Sequence, residues 1–249
     1  MSNPYAQHAG ESYFAGHDSL AKERAGQRLA AQAEGLLGRK GRLLELGCGR
    51  GELLKGAAQA GWEVRGVDMT PAFAETASEL GIELSSAETA RSLDQSHDFV
   101  ILAAILEHLY DPRACLLKVR ASLVSGGLVF IDVPNECGLW ARMGNAYMKL
   151  RGRDWAVNLS PTFPPYHVVG FCPRSLRRLL AATGFEVVSL RTVEWRNDLA
   201  DARSPWQAFE RRAASLVLKA GPLVGMGAGI VCWARKRGPA EADASSSAL

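Results

Sequence analysis

Three glycines alternate with other residues in "RLLELGCGRGELL", Arg42 to Leu54, directly after an apolar run. Gly47, Gly49 and Gly51 suit a backbone that turns tightly and lets a ligand approach where a side chain would block it. Dinucleotide-binding turns are spaced G-x-G-x-x-G, with a pyrophosphate on the following helix N-terminus; here the spacing is G-x-G-x-G. Glu45 precedes the first glycine by two residues, in a strand that is otherwise apolar. A carboxylate buried there is costly unless a cation or a hydrogen-bond donor meets it, which suits a ligand with an ammonium group rather than a diphosphate. Asp68 follows at roughly the 20-residue distance at which nucleotide-binding α/β folds place the carboxylate that accepts from ribose hydroxyls. A cofactor with a ribose, a purine and an amino acid satisfies all three features.

Acid–base chemistry points to other residues. His108, in "LEHL" after the fourth expected strand, is read as a general base, and His167, closing "PPYHVVG", as a substrate contact. For each, the alternative is a hydrogen-bonded structural histidine. His8 and His17 lie near the N-terminus, where an arm carrying Tyr5, Tyr13 and Phe14 would fold over the cofactor. His97 starts a strand, on the side away from the ligand. Asp132 and Asn135, at the mouth of the fifth strand, either orient an acceptor or serve as a strand-end turn. Trp140, Tyr147, Trp155, Phe163 and Tyr166 either form an apolar substrate pocket or pack a lid onto the domain.

These residues must be positioned by an alternation of strands and helices. Ser19 to Leu37 has helical spacing with Gly38 as its stop. "GRLLELG", "WEVRGVD", "IELSS", "HDFVILAAI", "LVFIDVP", "FEVVSLRTV" and "GIVCWARK" read as seven strands. "GELLKGAAQAG", "PAFAETASELG", "DPRACLLKVRASLVSGG", "CPRSLRRLLAATG" and "PWQAFERRAASLVL" read as helices. This predicts an α/β fold: a mostly parallel sheet with helices on both faces. The segment 137–170, long, aromatic and proline-bearing, falls just beyond the fifth strand's carboxyl end, where such folds bind ligands. It is read as a lid or substrate wall. Residues 1–38 form an arm and helix covering the cofactor, 39–237 the main domain, and 238–249 a disordered tail.

The 249 residues are 47% hydrophobic, enough for one large domain with a substantial core. With 29 basic and 26 acidic residues the formal charge is +3, and no long basic block points to nucleic acid. The five cysteines form no C-x-x-C pair, which fits neither a disulfide framework nor a zinc site and points to a reducing cytoplasm. No signal peptide is expected. Ser215 to Ala234 is apolar enough to suggest a membrane span, but Lys219, Pro222 and four glycines argue for a helix end, a loop and a strand instead, so no stable membrane insertion is expected.

In these motifs the chain resembles the class I S-adenosylmethionine-dependent methyltransferases. "LLELGCGRGELL" is similar to their first motif and "GVDMT" to the acidic end of their second strand. "ILEHLYDP", the aromatic segment and "PYHVVGFCPRSLRRLLAATGFEVV" resemble the branch of the ubiquinone-biosynthesis O-methyltransferases. The resemblance implies a Rossmann-like, seven-stranded α/β sheet with an aromatic lid insert after strand 5, and S-adenosylmethionine as cofactor. It implies that Glu45, Gly47, Cys48 and Gly49 line the methionine part, that Asp68 holds the ribose with Met69 on the adenine, and that Ala87 and Glu88 lie near the adenine amino group. Ala103 and Ala104 fall close to the sulfonium, and Asn135, Trp140 and Tyr166 on the substrate side.

Some members of that branch hold a divalent metal in a Glu-x-x-Glu-His cluster. The corresponding residues here are Ala104, Glu107 and His108, so the first carboxylate is missing and no metal is expected. Nucleic-acid amino-group methyltransferases carry an Asn-Pro-Pro-Tyr-type motif after the fourth strand, where this chain reads "AAILEH". The expected activity is therefore O-methylation of a small-molecule hydroxyl, with no nucleic-acid partner and with a homodimer allowed. N- or C-methylation and a non-catalytic cofactor-binding protein are the alternatives, and a nicotinamide oxidoreductase would want the G-x-x-G spacing and no carboxylate at Glu45.

Overall fold

The computed structural model describes residues 19–68, 83–86, 96–153, 167–194 and 204–238. The expected arm at 1–18, the helix at 71–81, the tail from 239, and Met69, Ala87, Glu88, Trp155, Phe163 and Tyr166 lie outside them. The elements in chain order are α1 (Ser19–Leu37), β1 (Arg42–Leu46), α2 (Glu52–Gln59), β2 (Glu63–Asp68), β3 (Glu83–Ser86) and β4 (His97–Ala103). There follow a 3-10 turn (Leu106–His108), α3 (Pro112–Ser122), β5 (Leu123–Pro134), α4 (Leu139–Leu150), α5 (Pro173–Ala182), β6 (Phe185–Val193), α6 (Pro205–Leu223) and β7 (Gly229–Lys236).

The strands form one sheet in the order β3-β2-β1-β4-β5-β7-β6, parallel except that β7 runs antiparallel to both its neighbours. The order reverses between β1 and β4, which opens a crevice at the strands' carboxyl ends. The two-residue period of the strands sends side chains to two separate cores. Leu44, Val100, Leu102, Val129 and Ile131 pack with Leu116 and Val119 of α3 and Leu176 and Leu180 of α5. Leu43, Phe99, Ile101, Leu128 and Phe130 pack on the other face with Ala30 and Ala33 of α1 and Leu54 and Ala57 of α2.

Two elements differ from the sequence expectation. The helix expected to run to Gly126–Gly127 ends at Ser122, and β5 takes over at Leu123, because Leu123 is fully buried and pairs with His97. A register shift between His97 and Phe99 absorbs the extra residues, with Gly126 at φ +75°. The segment read as a lid or substrate wall, with no helix assigned, contains α4, whose N-cap Gly138 supplies no side-chain signal. The apolar stretch Ser215–Ala234 divides as expected between α6, a short connection and β7, and among the described residues no helix is long and apolar enough to cross a membrane.

α1 crosses α2 at two glycines. A Cβ on Gly26 would collide with the Leu53 carbonyl, and one on Gly56 with the Glu23 carbonyl. Lys55 and Glu23 bridge the same crossing at 2.6 Å. Helix propensity alone favours Gly→Ala by about 1 kcal/mol, but the helices would have to move apart, an overpacking cost of about 1–3 kcal/mol. Gly56→Ala is therefore expected to lower the urea midpoint with an unchanged m value. An unchanged or higher midpoint would mean that the crossing is looser than described.

Candidate functional site

The glycine-rich turn hangs on the end of β2. Gly47 and Cys48 donate their N–H groups to the Val67 carbonyl at 2.7 and 3.3 Å, and Gly49 donates to Asp68 Oδ2 at 2.8 Å. Gly47, Gly49 and Gly51 have φ of +70°, +53° and +79°, and a Cβ on Gly47 would strike Ile105. Glycine is required here by conformation and by contact with the loop after β4.

Glu45 lies above this turn, 3% exposed, and its Oε2 has no hydrogen-bond partner among the described residues. Burial pushes its carboxyl well above the usual range; Lys22 on α1 pulls it back, while Glu52 and Asp68 push it further up. Lys22 is a neighbour that sequence reasoning missed, since it precedes Glu45 by a whole helix. The first residues of α1 stay close: Arg50 donates to Ser19 Oγ and pairs with Glu52 at 3.0 Å. The Cys48 thiol is buried and held far above its ordinary range by burial, Glu45 and Asp68, so it lines the turn as an inert group. An orphaned buried carboxylate beside a glycine cradle fits the amino-acid end of S-adenosylmethionine, whose ammonium would meet Glu45.

The next strand supplies the other wall. Ala103 pairs with Asp132 across β4 and β5. Ala104 donates its N–H to the Asp132 carbonyl at 2.9 Å and has φ +54°, a left-handed conformation that costs a non-glycine residue about 1–2 kcal/mol. This strained corner turns the chain into the 3-10 segment that carries Glu107 and His108.

The tertiary fold brings His167 to that segment. Val168 and Val169 donate their N–H groups to the Glu107 carbonyl at 2.8 and 3.1 Å, and the His108 and His167 rings lie 4.9 Å apart. Glu107 is 1% exposed, and neither carboxyl oxygen has a hydrogen-bond partner among the described residues. Burial raises its pKa to about 8, with Asp132 adding repulsion. Asp132 itself is raised by burial to about 6, and its Oδ1 is also unpartnered among the described residues. His108 Nε2 stands 3.9 Å from Glu107 Oε1.

Glu107 and His108 alone are two candidate ligands, too few for the expected absence of a metal to be in doubt. His167 adds a third: one ligand atom from each of Glu107, His108 and His167 lies within 4.8 Å of the others. Two imidazoles and a carboxylate suit a divalent transition metal better than magnesium or calcium.

The raised carboxyls carry a stability consequence. The folded protein holds protons on Glu107 and Asp132 at pH values where the unfolded chain has released them, so the stability they leave intact at acid pH is lost as pH rises. For Asp132 the window runs from the ordinary carboxyl range to about 6, and for Glu107 to about 8. Urea midpoints measured in the presence of a chelator are expected to fall from pH 5 to 8. The Glu107→Gln variant is expected to flatten the limb between 6 and 8, by at most about 1.4 kcal/mol per pH unit. An identical slope in the variant would locate the proton elsewhere.

The remaining expected contacts divide. Asn135 is 1% exposed; its Nδ2 donates to the Gly227 carbonyl at 2.7 Å and its Oδ1 accepts from Cys137 N–H at 3.1 Å. It braces the chain after β5, the strand-end reading, and does not present its amide to an acceptor. Trp140 is half-buried on α4. Tyr147 belongs to the contact between α4 and α6, hydrogen-bonding Glu210. His97 starts β4, at the far end from the turn.

Comparison with known proteins agrees with this arrangement. The family described as a methyltransferase domain matches residues 15–190. The ubiquinone biosynthesis O-methyltransferase of Azoarcus sp. (strain BH72) is 30% identical over 166 residues, 63% of this chain and 68% of that protein. Its counterpart from Aeromonas salmonicida (strain A449) is also 30% identical, over 65% of this chain and 68% of that protein. In fold, the chain is similar to a SAM-dependent methyltransferase from Archaeoglobus fulgidus, with a TM-score of 0.61, 22% identity, and coverage of 91% of this chain and 97% of that one. The chain belongs to the class I S-adenosylmethionine-dependent methyltransferases, in the branch of the ubiquinone-biosynthesis O-methyltransferases, and S-adenosylmethionine is its cofactor.

Proposed function

We propose that the protein methylates the hydroxyl oxygen of a small molecule, a phenol, a sugar or a secondary metabolite, by in-line transfer. The observation that carries this reading is the meeting of His108 and His167 over the buried Glu107 carboxyl, at the end of the crevice next to the glycine-rich turn. S-adenosylmethionine supplies an activated methyl; the chain must hold an oxygen in line with it and take up the hydroxyl proton. His108 accepts that proton, and Glu107 beside it stabilises the imidazolium, ionising more readily once the cation has formed. His167 orients the acceptor. The names of the relatives, O-methyltransferases in ubiquinone biosynthesis, support an oxygen acceptor.

On this reading α1 lies over the cofactor, which the placement of Ser19 and Lys22 near Glu52 and Glu45 favours. α4, with Trp140, walls the acceptor. The test is transfer of labelled methyl from S-adenosylmethionine to a panel of hydroxylated, amino and carbon acceptors, with Asp68→Ala as the cofactor-deficient control. Label on oxygen supports the proposal, and label only on nitrogen or carbon overturns it.

The grouping of three ligand atoms favours a second reading, in which Glu107, His108 and His167 hold a divalent cation that activates the hydroxyl. Prolonged chelation distinguishes the two: the base reading expects activity to survive, and the metal reading expects it to be lost and restored by manganese or zinc.

A further inference from the structure

Two cysteines outside the methyl-transfer chemistry meet beside it. The chain leaving β5 and the chain entering α5 run side by side: Asn135 forms a parallel bridge with Phe171, and Glu136 N–H donates to the Phe171 carbonyl at 2.8 Å. Cys172 directly follows Phe171, and Cys137 follows Asn135 by two residues, so the bridge brings the two cysteines side by side.

Their surroundings differ from those of the other three thiols. Cys172 is the N-cap of α5, and its Sγ accepts from Ser175 N–H at 3.4 Å. The Arg142 guanidinium on α4 pulls the Cys137 thiol down against the burial that raises it. A helix N-terminus and an arginine both favour a thiolate, and both sulfurs are reachable, Cys137 exposed and Cys172 half-buried. Cys172 is held below the ordinary thiol range by its hydrogen bonds from Ser175, while Cys137 is held above it. Burial raises Cys115 to about 11 and Cys232 to about 12, and Cys48 lies further up still. Cys172, its sulfur at the N-terminus of α5 and accepting from Ser175 N–H, is thus the nucleophile of the pair, and Cys137 the thiol that resolves it.

We propose that Cys137 and Cys172 form a peroxide-responsive dithiol, oxidised to an intramolecular disulfide and restored by a dithiol reductant. The Cys172 thiolate attacks one oxygen of hydrogen peroxide; the S–O bond forms, the O–O bond breaks, and the departing hydroxide is protonated to water. Cys137 then loses its proton and attacks the Cys172 sulfenic sulfur; the S–S bond forms, the S–O bond breaks, and a second water leaves. Two electrons pass from the sulfurs to the peroxide, and reduction returns two electrons and two protons. The bridge fixes the chain that runs from His167 to α5 against the end of β5, so it acts on the acceptor half of the site and leaves the glycine-rich turn untouched. That consequence rests on the proposed role of His167; the thiol chemistry does not.

The test uses the full-length reduced protein treated with stoichiometric hydrogen peroxide and read by intact mass, thiol titration and peptide mapping. The expected result is loss of two of the five thiols, a mass lower by two hydrogens, a Cys137–Cys172 linked peptide, and full reversal by dithiothreitol. Cys137→Ser is expected to stop at a dimedone-trappable sulfenic acid on Cys172, and Cys172→Ser to react at least tenfold more slowly. Thermal melts matching the wild type verify that both variants fold. Oxidation of all five cysteines at similar rates, or dimedone labelling at Cys137 instead of Cys172, would overturn the proposal. S-adenosylmethionine affinity in the oxidised protein is expected to stay within twofold, and a larger change would refute the assignment to the acceptor half. None of these readouts depends on methyl transfer, so they stand or fall apart from the proposed acceptor.

Discussion

Glu45→Gln is expected to weaken S-adenosylmethionine binding by about 10- to 100-fold while raising the melting temperature of the ligand-free protein. The two effects share one cause. The Glu45 carboxyl is 3% exposed with an unpartnered Oε2 among the described residues, and burial drives its pKa up. In the ligand-free protein near neutral pH, holding the charged form there is a cost that glutamine avoids. Because the folded pKa is raised, that cost is absent at acid pH and grows above the ordinary carboxyl range. With cofactor bound, an ammonium offsets the charge, and a charge-assisted hydrogen bond contributes about 1.5–3 kcal/mol that the amide cannot match. Calorimetric titration with S-adenosylmethionine and thermal melts of both proteins measure the two effects. Undiminished affinity in the variant would remove Glu45 from the ammonium site.

His108→Ala is expected to lower kcat by about 10²- to 10⁴-fold, the usual contribution of a positioned general base, with S-adenosylmethionine affinity within twofold of wild type. His167→Ala is expected to raise the acceptor KM more than it lowers kcat. The separation follows from geometry: both rings sit beside the Glu107 segment, whereas the residues proposed to hold the cofactor lie on the loop after β1 and the end of β2. A base that must be unprotonated to take up the hydroxyl proton makes kcat of the wild type rise with pH, and this rise is expected to disappear in His108→Ala and persist in His167→Ala. A His108→Ala variant retaining activity within threefold would rule out the base reading. Equal loss in His108→Ala, His167→Ala and Glu107→Gln, together with lost metal binding, would favour the cation.

How much of this was legible in advance depends on the range of the interactions. The glycine-rich turn, Glu45 and Asp68 lie within one strand-turn-helix-strand unit, and their meaning rests on local rules: which residues tolerate positive φ, and which polar group is costly in an apolar run. Helix boundaries with side-chain caps were equally local. α3 begins where Asp111 accepts from Ala114 N–H at 2.8 Å ahead of Pro112. The end of that helix was misplaced because burial of Leu123 and its pairing with His97 overrode the glycine stop signal. α4 was missed because its glycine N-cap carries no side-chain signal and its aromatics suggested a wall.

The sequence by itself determined the cofactor half of the site, since a few adjacent residues had to satisfy one backbone geometry and one charge pattern. It also offered both histidines, but as separate, ambiguous candidates. Only the tertiary structure decided that His167 meets His108 beside Glu107, that Lys22 stands near Glu45, that Asn135 is a brace, and that the chains carrying Cys137 and Cys172 run together. The physical reason is that each of these depends on backbone hydrogen bonds between distant loops, Val168 to Glu107 or Glu136 to Phe171, and such partners leave no periodicity or cap in the chain to be read.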